Sequence, residues 1–145
     1  MKINLISVGS LEKKFLDLYN SYISKLPSNV NLNVIEIKER KDNNTQLKKE
    51  KETELILERI PKNSTVYLFS LKGKFYDSVK FSSFLNEDNI TFIIGGSDGV
   101  IEEKFNFATK IKVSDFTFPH QLFKVLVAEQ IYRGFSIINN KKYHK

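Results

Sequence analysis

The sequence predicts an α/β fold in which a mostly parallel sheet is flanked by helices. Three observations support this prediction. Short runs rich in β-branched residues alternate with longer segments of helical periodicity. Four of the five residues at 90–94 are Ile or Phe, which is typical of a central strand covered on both faces. It ends at Gly95 and Gly96, and open α/β sheets bind their ligands at the carboxyl ends of such strands.

Two strand–helix pairs make up the first part of the chain. Residues 3–8 form the first predicted strand, which Gly9 closes. A helix follows, because apolar residues recur there at helical spacing: Leu11, Phe15, Leu18, Tyr22 and Leu26. Pro27 ends this helix, and residues 32–37 form a second strand with partial alternation. The charged segment that follows begins as a loop and becomes a Lys/Glu-rich helix, which Pro61 terminates.

The second part of the chain continues the alternation around the glycine loop. Asp98 is the predicted N-cap of the helix that follows this loop. Pro119 stands where a first-turn proline of the final helix belongs. The predicted elements are, in order, a strand at residues 65–69, a turn at 72–74, a short helix at 79–85, the central strand at 90–94, a helix from about 100, a brief strand at 111–113 and a final helix at 119–133.

Composition and charge bound the class of protein. A chain of 145 residues has room for one domain, residues 1–145, and one sizeable core. Zero cysteines exclude a disulfide framework, a thiolate metal site and a cysteine nucleophile, and we expect no metal site. No apolar run approaches the ~18 residues of a membrane span, and the N-terminus does not resemble a signal peptide, so we expect a cytoplasmic protein. A net charge of +6 favours a polyanionic partner.

The glycine loop, residues 95–99, is the first candidate site. Adjacent glycines let the backbone come within contact distance of a flat ligand, because no Cβ intervenes. A turn that merely needs positive φ explains a bare Gly-Gly at least as well. The loop matches neither of the two glycine-rich fingerprints that cradle phosphates, which leaves phosphate binding by those routes unsupported.

The final helix is the second candidate region, because its apolar residues cover far more than a stripe of about 100°. A second copy of the chain would explain this coverage, and so would a central position in a monomer. Glu129 and Arg133 form an intrahelical pair on one face, either a simple salt bridge or a functional pair. His120 and His144 are the only histidines, and each has a structural and a functional interpretation. The tail at residues 139–145 mixes cations with a stackable ring, although basic termini are often only solvated.

These residues, taken in order, resemble a known family. The chain is similar to the bacterial pseudouridine methyltransferases of large-subunit ribosomal RNA, which are minimal members of the SPOUT class. The resemblance covers essentially the whole length and is most specific at residues 92–99 and 116–145. The second stretch contains a Thr-Phe-Pro-His junction, an Ala-Glu-Gln-x-Tyr-Arg helix and a Tyr-His ending, at the family's spacing. The resemblance implies a single-domain α/β knot, with a deep trefoil knot near the C-terminus.

The resemblance also implies a cofactor, a substrate and an assembly. The cofactor would be S-adenosylmethionine, held by three loops at strand ends: Phe69, Gly95, Val113, Ser114, Asp115, Phe116, Thr117 and Phe118. The substrate would be N3 of a pseudouridine in ribosomal RNA within the assembled ribosome. A homodimer is implied, in which the tail of one subunit completes the site of the other.

Catalytic roles are expected for five residues that match the family's motifs. Arg133 would steady the developing anion or a phosphate. Tyr143 and His144 would hold the target base. Glu129 would orient Arg133 or serve as a base, and His120 is a further candidate.

Two alternatives to this enzyme remain open on the sequence. One is a non-catalytic, ribosome-associated RNA-binding factor that keeps the fold without cofactor affinity. The other is a flavodoxin-like or Rossmann-like nucleotide binder, against which the missing phosphate fingerprint counts. The charged segment at residues 38–51 would contact RNA or only keep the protein soluble.

Overall fold

Five parallel strands form the sheet of the computed structural model, which describes residues 1–145. They lie in the order β2-β1-β4-β3-β5, and every pairing is parallel. The predicted α/β class with a mostly parallel sheet is therefore confirmed. The strands are β1 Lys2–Val8, β2 Asn31–Ile37, β3 Thr65–Phe75, β4 Asn89–Ile94 and β5 Thr109–Lys112.

Helices cover both faces of the sheet. They are α1 Lys13–Ile23, α2 Thr45–Arg59, α3 Ser78–Phe84 and α4 His120–Ile138. One hydrophobic cluster joins the sheet to α1, α3 and α4, and a second joins its other face to α2 and a one-turn 3₁₀ helix, Glu102–Phe105. Phe92 and Ile93 are adjacent on β4 and fully buried in different clusters, as predicted for a central strand.

Side-chain caps fix where two of the helices begin. Asn44 accepts a hydrogen bond from the Leu47 amide at 3.0 Å and starts α2. Asp77 does the same for the Lys80 amide at 2.7 Å and starts α3. Pro119 is the N-cap residue of α4 rather than a residue of its first turn, one position from the prediction.

Two elements after the third strand were predicted wrongly. Residues 72–74 are not a turn, because β3 shifts register after Phe69 and continues beside β5 to Phe75. An α-helix capped by Asp98 does not form, and only the short 3₁₀ helix follows the glycine loop. Instead, Lys48 Nζ of α2 binds the Asp98 carboxylate at 2.8 Å. This contact joins residues fifty positions apart, so the sequence around Asp98 does not predict it.

The ends of two helices also differ from the prediction. α1 stops at Ile23, short of Leu26, and Ser24 is its C-cap residue. α4 runs five residues beyond Arg133 to Ile138, because Phe135 and Ser136 extend its buried face. Asn140, with φ of 54°, follows its end.

The apolar character of α4 is largely explained within one chain. The helix packs against α1, α3 and the sheet. Its buried residues are Lys124, Val125, Val127, Ala128, Ile131, Gly134, Phe135 and Ser136. The breadth of its apolar surface therefore does not by itself indicate a second copy, which corrects one argument made from the sequence. No helix combines the length and the apolarity that crossing a membrane requires. The trefoil knot stays a prediction.

Candidate functional site

A cleft of about 530 Å³ opens at the carboxyl ends of β4 and β5, beside the register shift in the middle of β3. Three chain segments line it: residues 69–72 on β3, the loop at residues 94–100 after β4, and residues 113–118 between β5 and α4. The remaining lining residues are His120 and Phe123 of α4, Lys49 of α2, Glu102 and Ile111. The volume lies within the range of small-molecule sites, about 300–1,000 Å³.

Aromatic rings form the wall of the cleft beside α4. The Phe69 ring meets the Phe123 ring edge-on, with centroids 5.7 Å apart. Phe118 stacks on Phe123 at 6.4 Å, while the Phe116 side chain is 81% exposed at the rim. Flat apolar walls of this kind suit a planar ring system, with backbone groups of the adjoining turns free to fix its orientation.

The two glycines after β4 are required by close contacts. A Cβ on Gly95 would stand 2.8 Å from Val100 Cγ1. A Cβ on Gly96 would stand 2.6 Å from Glu52 Oε1. A side chain at either position would therefore displace the loop from Val100 or Glu52. The glycines are needed for close packing as well as for the turn.

Helix α2 supports the glycine loop from the other side. Lys48 Nζ contacts Asp98 Oδ2 at 2.8 Å and Glu39 Oε1 at 3.0 Å. The hydrogen bond from Lys48 holds the pKa of Glu39 below its usual value, and the two carboxylates raise the pKa of Lys48. Thr53 Oγ1 accepts a hydrogen bond from the Ile101 amide at 3.0 Å, so α2 fixes the second half of the loop and the residues that follow it.

The first residues of α4 are tied to the end of β1. His120 Nε2 donates to the Val8 carbonyl at 2.9 Å, and Lys124 Nζ donates to the Gly9 carbonyl at 2.7 Å. Lys124 is only 1% exposed. Burial lowers its pKa to about 8, while Glu36 and Glu39 act in the opposite direction.

A second group of polar residues lies at the other end of α4. Arg133 Nε donates to Glu129 Oε1 at 2.6 Å, and Arg133 Nη1 donates to His144 Nδ1 at 3.1 Å. The Arg133 guanidinium lies 4.7 Å from the centroid of the Tyr143 ring, which makes an edge contact with Tyr132. Burial, and then the charge of Glu129, raises the pKa of Tyr143. The end of the chain is therefore folded onto α4.

The two groups do not meet within one chain. Arg133 is thirteen residues after His120 on the same helix, which corresponds to about 20 Å along its axis. Glu129 is nine residues after His120, or about 13 Å away. Neither residue lines the cleft. No group of three or more histidines and carboxylates is arranged to hold a metal ion.

Comparison with known proteins decides the family. The model of the family described as predicted SPOUT methyltransferase matches residues 1–144. The chain belongs to the SPOUT methyltransferase family. Two curated proteins, both named ribosomal RNA large subunit methyltransferase H, share 58% identity (Mycoplasma mobile) and 57% identity (Mycoplasmopsis pulmonis) with it, over the full length of all three chains. A protein of the same name from Mesomycoplasma hyopneumoniae is 45% identical over 99% of this chain and 98% of its own.

A solved structure supports the fold of this SPOUT methyltransferase. It comes from work titled "Structural insights into the 2-OH methylation of C/U34 on tRNA", and it superposes with a TM-score of 0.52. The alignment covers 97% of this chain and 98% of the other at 13% sequence identity. At that identity the match concerns the fold alone.

The residues predicted from the sequence fall into the two groups described above. All the expected cofactor residues of this SPOUT methyltransferase line the cleft except Asp115, whose exposed carboxylate pairs with Lys112. Of the expected catalytic residues, His120 lies at the cleft, whereas the others are together at the far end of α4: Glu129, Arg133, Tyr143 and His144.

Sequence reasoning missed two buried charged side chains. Lys124 interrupts the apolar run of α4, and that interruption was a usable signal of a buried amine. Glu52 is fully buried beneath the glycine loop. It stands among seven other charged residues at positions 48–59, so the sequence contains no sign that this one points inward.

Proposed function

We propose that this SPOUT methyltransferase uses S-adenosylmethionine to methylate N3 of a pseudouridine in large-subunit ribosomal RNA. The names of its full-length relatives support the substrate class. The observation that carries the cofactor assignment is the cleft, because its three lining segments are those the sequence predicted for this ligand. The net charge of +6 favours an RNA partner.

The residues of the cleft fit this cofactor. Phe69, Phe118 and Phe123 offer apolar surface to an adenine ring, and the turns at residues 95–99 and 113–117 offer backbone donors and acceptors for its polar groups. When bound, S-adenosylmethionine supplies a methyl group on a cationic sulfur, which becomes a neutral thioether once the methyl group has left. The chain has to place the acceptor nitrogen in line with that bond, so positioning is a large part of the catalysis.

The group at the end of α4 has the chemistry to hold the acceptor. The N3 proton of a pseudouridine must pass to a base, here solvent water, because the neutral imide nitrogen is a poor nucleophile, and a nearby cation favours the anion that results. Arg133 is the cation proposed for this role. Glu129 Oε1 already accepts hydrogen bonds from Arg133 and, at 3.4 Å, from Tyr143, so we assign it to orienting these two side chains. Tyr143 and His144 then contact the base.

A second copy of the chain would unite the two groups. The axial distance of about 20 Å between His120 and Arg133 is too great for one protomer to bring Arg133 to its own cleft. We therefore propose a homodimer in which the end of α4 and the tail of one subunit complete the cleft of the other. A cytoplasmic location and a substrate presented by the assembled ribosome belong to the same proposal.

Mass spectrometry of ribosomal RNA tests this function. Cells that lack the protein should lose one methyl group from large-subunit RNA, and the wild-type gene should restore it. Calorimetric titration of the purified protein should show binding of S-adenosylmethionine. An unchanged RNA, together with no heat of binding, would favour the non-catalytic factor instead.

Mixed dimers test the composite site. Arg133→Ala removes the acceptor group, whereas Thr117→Trp places a large ring at an exposed position of the cleft lining, and each homodimer should be inactive. A mixture refolded together contains heterodimers with one intact composite site, so activity should return to about a quarter of the wild-type level, as expected for random pairing. Failure of the mixture to recover activity would contradict a shared site.

A further inference from the structure

The most unusual buried group outside the predicted sites is the carboxylate of Glu52. The side chain is 0% exposed. Its Oε2 atom accepts a hydrogen bond from the Arg40 amide at 2.9 Å. Its Oε1 atom is the only buried side-chain nitrogen or oxygen of the chain without a hydrogen-bond partner. A buried oxygen without a hydrogen-bond partner costs stability, which makes Glu52 a candidate for a functional role.

Two neighbouring cations of α2 are already paired, whereas a third, Lys49, lines the cleft itself. Lys48 is bound by Glu39 and Asp98, and Lys51 is bound by Asp42 at 3.0 Å. Neither lysine therefore neutralises the free oxygen of Glu52. When ionised, this carboxylate places a negative charge behind the glycine loop, in surroundings that screen it less than water does.

Only the glycine loop separates this charge from the cleft. Glu52 Oε1 lies 2.6 Å from the point where a Cβ on Gly96 would stand, and Gly96 itself lines the cleft. Because Gly96 has no side chain, nothing but backbone intervenes at this point. The charge of a ligand bound against Gly96 would therefore interact with the carboxylate over a short distance with little screening by water.

We propose that Glu52 is a charge-selective element of the cofactor cleft, which favours a cationic methyl donor over the neutral thioether left after transfer. The inference rests on the proposed use of S-adenosylmethionine and adds a specificity determinant to it. For unit charges about 8 Å apart at an effective dielectric of about 20, the Coulomb attraction corresponds to a factor of roughly 30 in affinity. Solvent in the open cleft reduces this factor, so we expect a preference of about tenfold.

Calorimetric titration with S-adenosylmethionine and S-adenosylhomocysteine tests the proposal. The two ligands differ by one methyl group and one positive charge, and the measured quantity is the ratio of their dissociation constants. Glu52→Gln and Glu52→Met remove the charge while keeping a side chain of similar length. Glu58→Gln is the matched control, because it removes an exposed carboxylate from the same helix. Thermal unfolding establishes that each variant is folded.

Removing the charge should weaken S-adenosylmethionine binding about tenfold and leave S-adenosylhomocysteine binding within about twofold. The control should change neither constant. Equal losses for both ligands would show that Glu52 only supports the loop, and unchanged constants would show no role, so either result overturns the proposal. A wild-type protein that binds neither ligand would instead overturn the proposed function.

Discussion

Replacing Lys124 by Met should remove a rise in stability that the wild-type protein shows between pH 8 and pH 10. Burial lowers the pKa of Lys124 to about 8, from 10.5 in the unfolded chain. Between these values the unfolded chain holds the proton while the folded chain releases it. The free energy of unfolding therefore increases with pH in this window.

The magnitude follows from the size of the window. Each pH unit contributes about 1.4 kcal/mol, so the interval from pH 8 to pH 10 contributes about 2–3 kcal/mol. The hydrogen bond to the Gly9 carbonyl persists in both protonation states, and its loss in Lys124→Met is a constant offset. Above pH 10 buried tyrosines reverse the trend: burial raises the pKa of Tyr19 to about 12, so the unfolded chain ionises first.

Urea unfolding followed by circular dichroism, at pH 7, 8, 9 and 10 and one protein concentration, measures the effect. The difference in unfolding free energy between wild type and Lys124→Met should grow by about 2–3 kcal/mol from pH 7 to pH 10. Lys62→Met, at an exposed position, should track the wild type throughout. Parallel curves for wild type and Lys124→Met would refute the assignment of a buried, partly neutral amine.

Three further substitutions test the packing and the proposed acceptor group. Gly134→Ala should cost about 1–3 kcal/mol in urea unfolding, because its Cβ would collide with the Leu85 side chain where α4 crosses α3; an unchanged midpoint would contradict this packing. Gly99→Ala should cost only about 1 kcal/mol, since nothing lies within 4 Å and the penalty is the strain of φ at 83°. Arg133→Ala should abolish ribosomal RNA methylation, read by mass spectrometry, while changing the unfolding free energy by about 1 kcal/mol. Methylation that persists in this variant would exclude the role given to Arg133.

Local sequence predicted the elements whose burial is decided locally. The central strand could be identified because residues 90–94 are apolar on both faces, and both faces are buried. The position of the cleft followed from the glycines that end this strand. The continuation of β3 to Phe75 could not be predicted in the same way, because its pairing partner, β5, lies more than thirty residues further along the chain. The same limit applies to Asp98, whose partner Lys48 is on α2.

The position of charged residues in this chain shows a related limit. The sequence of a Lys/Glu-rich helix does not distinguish exposed carboxylates from buried ones. The burial of Glu52 therefore became evident only from the position of the glycine loop above it. By contrast, a lysine inside an apolar helix has few partners, and Lys124 could have been identified as buried from its neighbours alone. The sequence pattern therefore predicts the position of the cleft more readily than the burial of the charged residues around it.

Helix α4 explains why both parts of the proposed site depend on one element. Its first turn closes the cleft and, through His120 and Lys124, is fixed to the end of β1. Its last turns carry Arg133, onto which His144 and Tyr143 fold. Because a helix is stiff, the two ends keep their separation of about 20 Å, and neither can move toward the other to build one site. The proposed direct transfer of a methyl group from sulfur to nitrogen cannot span this distance within one chain, which is why the proposed site includes a second subunit.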